Sequence, residues 1–145
     1  MIAFMHKRWI VGWLLTTATA ANATAAGRLV VEQAWIRAAP PGAMMLAGYA
    51  SLRNAGDSAL TVTGAASADF AEVSIHLSVE ENGVERMQPL GHIDIAPGAS
   101  VEFAPGGRHF MLMQPRRDLK VGDKVKIHID TEAGDGAAAE FSVRN

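Results

Sequence analysis

The 145-residue chain contains no cysteine, and this absence removes several classes of site. The protein cannot form a disulfide or use a thiolate as nucleophile, redox group or metal ligand, and a blue-copper electron-transfer site requires that thiolate. The chain also lacks a basic patch. Its 13 basic and 15 acidic residues are scattered and give a net charge of -2, so nucleic acid is not an expected partner.

The N-terminal segment has the organisation of a secretory signal. Two basic residues precede a short apolar core at residues 9–15, and the Ala-Thr-Ala sequence at 23–25 fits a signal-peptidase site. A membrane-spanning helix needs about 20 apolar residues, and this apolar core is shorter. An uncleaved membrane anchor is therefore a weaker interpretation than a cleaved signal. We predict that residues 1–25 are a cleaved signal peptide and that residues 26–145 form one exported domain without a membrane span. Loss of the two basic residues changes the net charge from -2 to -4.

The remainder of the chain alternates apolar and polar residues in short runs separated by Gly, Pro, Asn and Asp, a pattern typical of strands. No run has the 3.6-residue period of a long helix. The pattern predicts an all-β Greek-key sandwich of about nine strands. The candidate strands are at residues 29–37, 46–53, 60–65, 72–80, 84–89, 92–95, 100–103, 109–114, 124–130 and 138–143.

Two imidazoles and two thioethers fall within 36 residues near the middle of the chain. We call them the motif residues: His76, Met87, His109 and Met111. Thioether is a soft ligand and imidazole a borderline one, and the set contains neither thiolate nor carboxylate. Such a set suits Cu(I) better than zinc, magnesium or calcium.

Strand alternation predicts where these side chains point. His76 lies on the polar face of its segment, away from the expected core. His109 and Met111 share one face of theirs, while Phe110 and Leu112 face inward. The Asn-Gly sequence at 82–83 predicts a two-residue hairpin.

That hairpin has a definite register with one internal conflict. It places Ser78 opposite Met87, so that Met87 and His76 become diagonal neighbours, roughly 7–8 Å apart at the backbone. It also places Arg86 and Gln88 on a face that the neighbouring segment predicts to be core. A longer loop or a bulge would remove the conflict.

The spacing His-x10-Met-x21-His-x-Met resembles the metal motif of the periplasmic copper chaperones of the PCu(A)C type. The motif residues match every interval, and about 0.0003 chance matches are expected for this composition. Segments at 34–42, 48–54 and 105–113 also resemble the family, and the similarity extends over residues 28–143. In one departure, Leu77 and Ser78 follow His76, where many members carry a Met shortly after the first His.

The resemblance implies a cupredoxin-like β-sandwich whose motif residues bind Cu(I) in the periplasm. It further implies a chaperone that carries copper to a respiratory cytochrome c oxidase, with a Sco-type thioredoxin-like protein or an oxidase subunit as acceptor. A copper buffer or resistance protein without a dedicated acceptor is the alternative, and an interaction module that uses no metal is a third possibility. An enzyme is not expected, because four protein ligands leave no open position for a substrate.

The other His and Met residues receive ordinary structural interpretations. His92 and His128 are expected on the solvated surface. Met44 and Met45 follow a Pro-Pro-Gly turn and are expected to fill core, although they lie where they can cover a site. Met113 shares a face with Met111 and is expected to pack beside the site.

Overall fold

The computed structural model describes residues 27–145, so the predicted signal segment lies outside the described residues. Every predicted strand is present with ends within two residues of the expected ones, which confirms the all-β class; the described residues form ten strands instead of about nine. They are β1 (Leu29–Arg37), β2 (Met45–Asn54), β3 (Leu60–Ala66), β4 (Phe70–Glu81), β5 (Val84–Pro89), β6 (Ile93–Ile95), β7 (Ser100–Phe103), β8 (Arg108–Pro115), β9 (Lys124–Thr131) and β10 (Ala137–Arg144). From residue 27 onward, no helix has the length and apolarity needed to cross a bilayer.

All ten strands belong to one sheet in the order β5-β4-β8-β7-β2-β1-β10-β9-β3-β6. Two additional pairings, β8 with β2 and β4 with β3, fold this sheet back on itself. The β3–β4 pairing rests on Ala65 opposite Val73 and joins the two layers of the sandwich into a barrel-like closure. Strands β5 and β6 remain at the ends of the sheet.

The core is built from the inward residues of the strands, and β8 supplies two of its completely buried side chains, Phe110 and Leu112. The Phe110 ring stacks on Phe103 at a centroid distance of 4.5 Å and meets the edge of Phe141 at 5.8 Å. Burial of each such ring stabilises the fold by about 1.5–3 kcal/mol. Because side chains alternate along a strand, this burial holds His109 and Met111 on the opposite face.

The β4–β5 hairpin has the predicted register. Asn82 and Gly83 both have positive φ, 53° and 76°, as a two-residue type I′ turn requires. Ser78 lies opposite Met87, as expected. The anticipated conflict does not arise, because this half of β4 extends beyond the core: Leu77 and Val79 are only half-buried, and every residue of β5 is exposed.

A fully buried amide, Asn54 at the end of β2, ties three segments together. Its Oδ1 accepts hydrogen bonds from the backbone N–H groups of Arg28 and Gly56, at 3.1 and 3.0 Å. Its Nδ2 donates to the carbonyls of Ser58 and Ile95, at 2.7 and 3.0 Å. The amide therefore uses both donors and both lone pairs, which is the condition for burying it without penalty.

We expect Asn54→Ala to lower the free energy of unfolding by about 3 kcal/mol, because it leaves buried donors and acceptors unpaired. Urea unfolding followed by circular dichroism measures the change. Asp57→Ala, at an exposed position of the loop that follows β2, is the matched control and should change stability by less than about 0.5 kcal/mol. Equal effects of the two substitutions would contradict the anchoring role of Asn54.

Candidate metal centre

The two motif histidines lie directly opposite each other on the neighbouring strands β4 and β8. The ring centroids of His76 and His109 are 6.0 Å apart, and the ring planes differ by 23°. Imidazoles that bind one ion through ring nitrogens at about 2.0–2.1 Å have centroids roughly 5–6 Å apart. The pairing of β4 with β8 therefore brings the rings within reach of a shared ion.

The two motif methionines flank this histidine pair on the same face of the sheet. Met111 is two residues along β8 from His109 and lies opposite Ser74. Met87 lies on β5 opposite Ser78, diagonal to His76, and is 48% exposed. Directly opposed residues of antiparallel strands share a face, so both thioethers point to the same side as the two imidazoles.

His109 is held in the tautomer that leaves one ring nitrogen able to bind a metal. Its side chain is only 5% exposed. Its Nδ1 donates a hydrogen bond to the carbonyl oxygen of Gly107 at 3.2 Å, and that carbonyl also accepts from the backbone N–H of Ser78 at 3.1 Å. Because a carbonyl only accepts, the proton lies on Nδ1 and Nε2 carries a lone pair. Within the described residues, this buried Nε2 has no hydrogen-bond partner.

His76 is less enclosed and interacts with different neighbours. Its Nδ1 lies 3.4 Å from Ser74 Oγ, which leaves Nε2 for a ligand. Burial lowers the pKa of His76 below its ordinary value of 6.5, the nearby His109 lowers it further, and Glu72 opposes both by raising it. The imidazole therefore remains neutral, and able to bind a metal, to lower pH than an exposed histidine.

A cavity of about 220 Å³ opens beside this face. Met87, His109 and Met111 line it, together with Met45 and Tyr49, whereas His76 is not among the lining residues. The structure thus brings three motif residues to one cavity and places the fourth beside His109. From residue 27 to residue 145, no cluster of three or more His, Cys, Asp or Glu side chains is arranged to hold a metal.

The expectation that Met44 and Met45 fill core is wrong. Their side chains are 61% and 46% exposed, because the Pro-Pro-Gly turn delivers them to the rim of the barrel before β2 enters it. Met113 lies opposite Met45, half-buried on the ligand face, as expected. His92 and His128 are exposed surface residues, as predicted, and His128 lies 3.3 Å from Asp130.

An aromatic and cationic cluster lies next to the cavity and was not predicted from the sequence. The ring centroids of Trp35 and Tyr49 are 4.8 Å apart. The guanidinium carbon of Arg37 lies 5.7 Å from the Tyr49 centroid, and that of Arg144 lies 4.5 Å from the Trp35 centroid. Arg37 and Tyr49 also line the cavity. No spacing motif marks this group. The sequence indicates only part of this cluster, because residues two apart in a strand, such as Trp35 and Arg37 of β1, share one face.

Comparison with known proteins adds a family and a fold. The model of the family described as "Putative lipoprotein LpqE-like" matches residues 29–143. The curated relative "Putative lipoprotein Lxx21020" of Leifsonia xyli subsp. xyli is 32% identical over 114 residues, which cover 78% of this chain and 66% of that protein. This chain therefore spans slightly less than two thirds of that relative's length.

Two solved structures share the fold. The Cu(I) form of DR1885 from Deinococcus radiodurans, a solution structure, is 28% identical, with a TM-score of 0.60 and coverage of 88% of this chain and 85% of that one. The copper-bound PCuAC domain of PmoF2 is 24% identical, with a TM-score of 0.67 and coverage of 81% and 93%. These matches establish that the ten-stranded sheet has the PCuAC domain fold.

The environment of His76 makes a titration prediction. In the metal-free protein we expect the His76 ring, followed by NMR, to titrate below pH 6.5, because burial and the neighbouring imidazole of His109 disfavour its protonated form. His109→Gln should raise this pKa, and Glu72→Gln should lower it further. Titration of His76 at or above 6.5, or shifts of the same sign in both variants, would refute the assigned causes.

Proposed function

Because the chain belongs to the LpqE-like family and has the PCuAC domain fold, we propose that it is an exported Cu(I)-binding protein that carries copper in the periplasm. Residues 1–25 are its signal peptide and residues 26–145 its copper-carrying domain. The name lipoprotein, given to the family and to a relative, accords with export. The proposed ligands are the motif residues, His76, Met87, His109 and Met111.

The single observation that carries this proposal is the buried Nε2 of His109. A buried nitrogen lone pair that has no partner destabilises the fold, and a bound metal ion would give this nitrogen a partner. His109 lines a cavity together with the thioethers of Met87 and Met111. Nδ1 is already fixed by the Gly107 carbonyl, the arrangement that orients metal-binding histidines in general.

The chemistry of the donor set favours Cu(I). Two imidazoles and two thioethers are all neutral, so an ion bound by them keeps its own charge, and soft sulfur ligands select Cu(I). Cu(II) prefers nitrogen and oxygen ligands in a tetragonal arrangement, which this set does not provide. Methionine also persists in an oxidising compartment, although it can be converted to the sulfoxide.

Exposure of one ligand favours a carrier over a closed store. Met87 lies on the outermost strand of the hairpin and is half-exposed, so a donor group of an acceptor protein can replace its sulfur while His109 still holds the ion. The PCu(A)C resemblance points to a respiratory cytochrome c oxidase as destination, through a Sco-type protein or the oxidase subunit itself. A copper buffer or resistance protein is the alternative that the same site allows.

We expect the protein to bind one Cu(I) under reducing conditions and His109→Ala and Met111→Ala each to weaken binding by at least roughly tenfold. Competition with a chromophoric Cu(I) chelator measures the affinity. His128→Ala and Met44→Leu are matched controls, since both residues are exposed and line no part of the site cavity. Wild-type affinity in both site variants would refute the ligand assignment.

Transfer distinguishes carrier from buffer. The Cu(I)-loaded protein is mixed with the metal-free soluble domain of a Sco-type protein or of the oxidase copper subunit, and the copper in each is measured after separation. A carrier should transfer one copper ion per protein to the acceptor, because its imidazole and thioether ligands are weaker donors than thiolates. Retention of copper against both acceptors would favour the buffer.

A further inference from the structure

Met45 occupies a special position relative to the proposed site. It is the first residue of β2 and lies opposite Met113 of β8, while Ala47 lies opposite Met111. Met45 and Met111 are therefore diagonal neighbours on the same face. Backbones in that relation are roughly 7–8 Å apart, within reach of long side chains.

Met45 lines the cavity, whereas the motif residue His76 does not. The lining includes one imidazole, His109, and three thioethers, those of Met45, Met87 and Met111. The structure therefore presents two overlapping donor sets that share three ligands. They differ in the fourth, which is His76 in one set and Met45 in the other.

The exposure of Met45 is the second observation. Five large apolar side chains between residues 27 and 145 are conspicuously exposed, and two of them, Met45 and Met87, line this one cavity. At 46% exposure, the Met45 side chain is only partly covered by its neighbours. Because methionine is unbranched with three rotatable bonds, its sulfur can swing toward the ion or toward solvent.

From this geometry we infer that Met45 is a further Cu(I) ligand, which exchanges with His76 as the ion enters or leaves. The exchange breaks the bond from copper to a His76 ring nitrogen and forms one to the Met45 sulfur. Copper stays monovalent and no electron or proton is transferred. The inference rests on the proposed function, since it requires the three shared ligands to bind Cu(I).

The β-barrel keeps Met45 near the ion independently of the hairpin. A backbone N–H···O bond of 2.8 Å from Gln114 to the carbonyl of Met44 fixes the start of β2 against the end of β8. Met45 thus approaches the ion from the β2 side, while Met87 approaches from the β5 side of the sheet. The ion then has a soft ligand on each flank of the β4–β8 pair.

The test is a double-mutant comparison with Met44→Leu as matched control, because Met44 neighbours Met45 in sequence but lines a different cavity. Cu(I) affinity is measured for Met45→Leu and Met44→Leu, each in the wild-type and in the His76→Gln background. We expect Met45→Leu to weaken binding less than about threefold when His76 is present and roughly tenfold when it is absent. Met44→Leu should change neither affinity, and circular dichroism checks that each variant folds.

A structural role alone would not move two further readouts. When Cu(I) is added to His76→Gln, the methyl carbon resonance of Met45 should shift from its metal-free position. X-ray absorption should report three sulfur neighbours of copper, instead of the two in the donor set that contains His76. An unshifted Met45 methyl, equal effects of the two leucine variants in the His76→Gln background, or complete loss of binding in His76→Gln would each overturn the inference.

The controls separate this inference from the proposed function. If His109→Ala and Met111→Ala weaken Cu(I) binding but Met45→Leu behaves as Met44→Leu does, the proposed site stands and only the exchange falls. If the wild-type protein binds no Cu(I), or if the His109 and Met111 variants bind as tightly as it does, both fall together.

Discussion

The antiparallel pairing of β4 with β8 is the interaction on which the candidate site depends. It sets Ile75 opposite Phe110 on the inner face and, one residue along, His76 opposite His109 on the outer face. A slip of one residue would exchange these faces and cost the burial of an aromatic ring, so the core enforces the register. The position of the imidazoles is thus determined by hydrophobic packing on the other side of the same two strands.

Local features were predictable because they depend on neighbouring residues. Alternation marked every strand, and the Asn-Gly sequence fixed the hairpin register that places Met87 diagonal to His76. The faces of His109 and Met111 followed from the apolar residues between and beyond them. For these residues the short-range pattern and the tertiary fold agree.

Long-range features were not predictable in the same way. Nothing near Met45 indicates that it will lie at the exposed rim of the barrel, where β2 pairs with β8, and the expectation of core filling was wrong there. The deep burial of His109 arises from strands distant in sequence, and its fixed tautomer depends on the carbonyl of a glycine that reads only as a turn residue. Asn54 likewise has no sequence motif, because its four hydrogen bonds reach residues before and after it along the chain.

The exposed hairpin strand β5 has a mechanical consequence. It pairs only with β4 among the described strands, and all six of its side chains are exposed, so its attachment to the barrel rests on one backbone ladder and the turn. An ion held by Met87 together with His109 and Met111 would fasten this ribbon to the central strands. In a chain without disulfides, the bound ion would then act as a removable cross-link, and the metal-bound and metal-free proteins would differ in stiffness at this exposed hairpin.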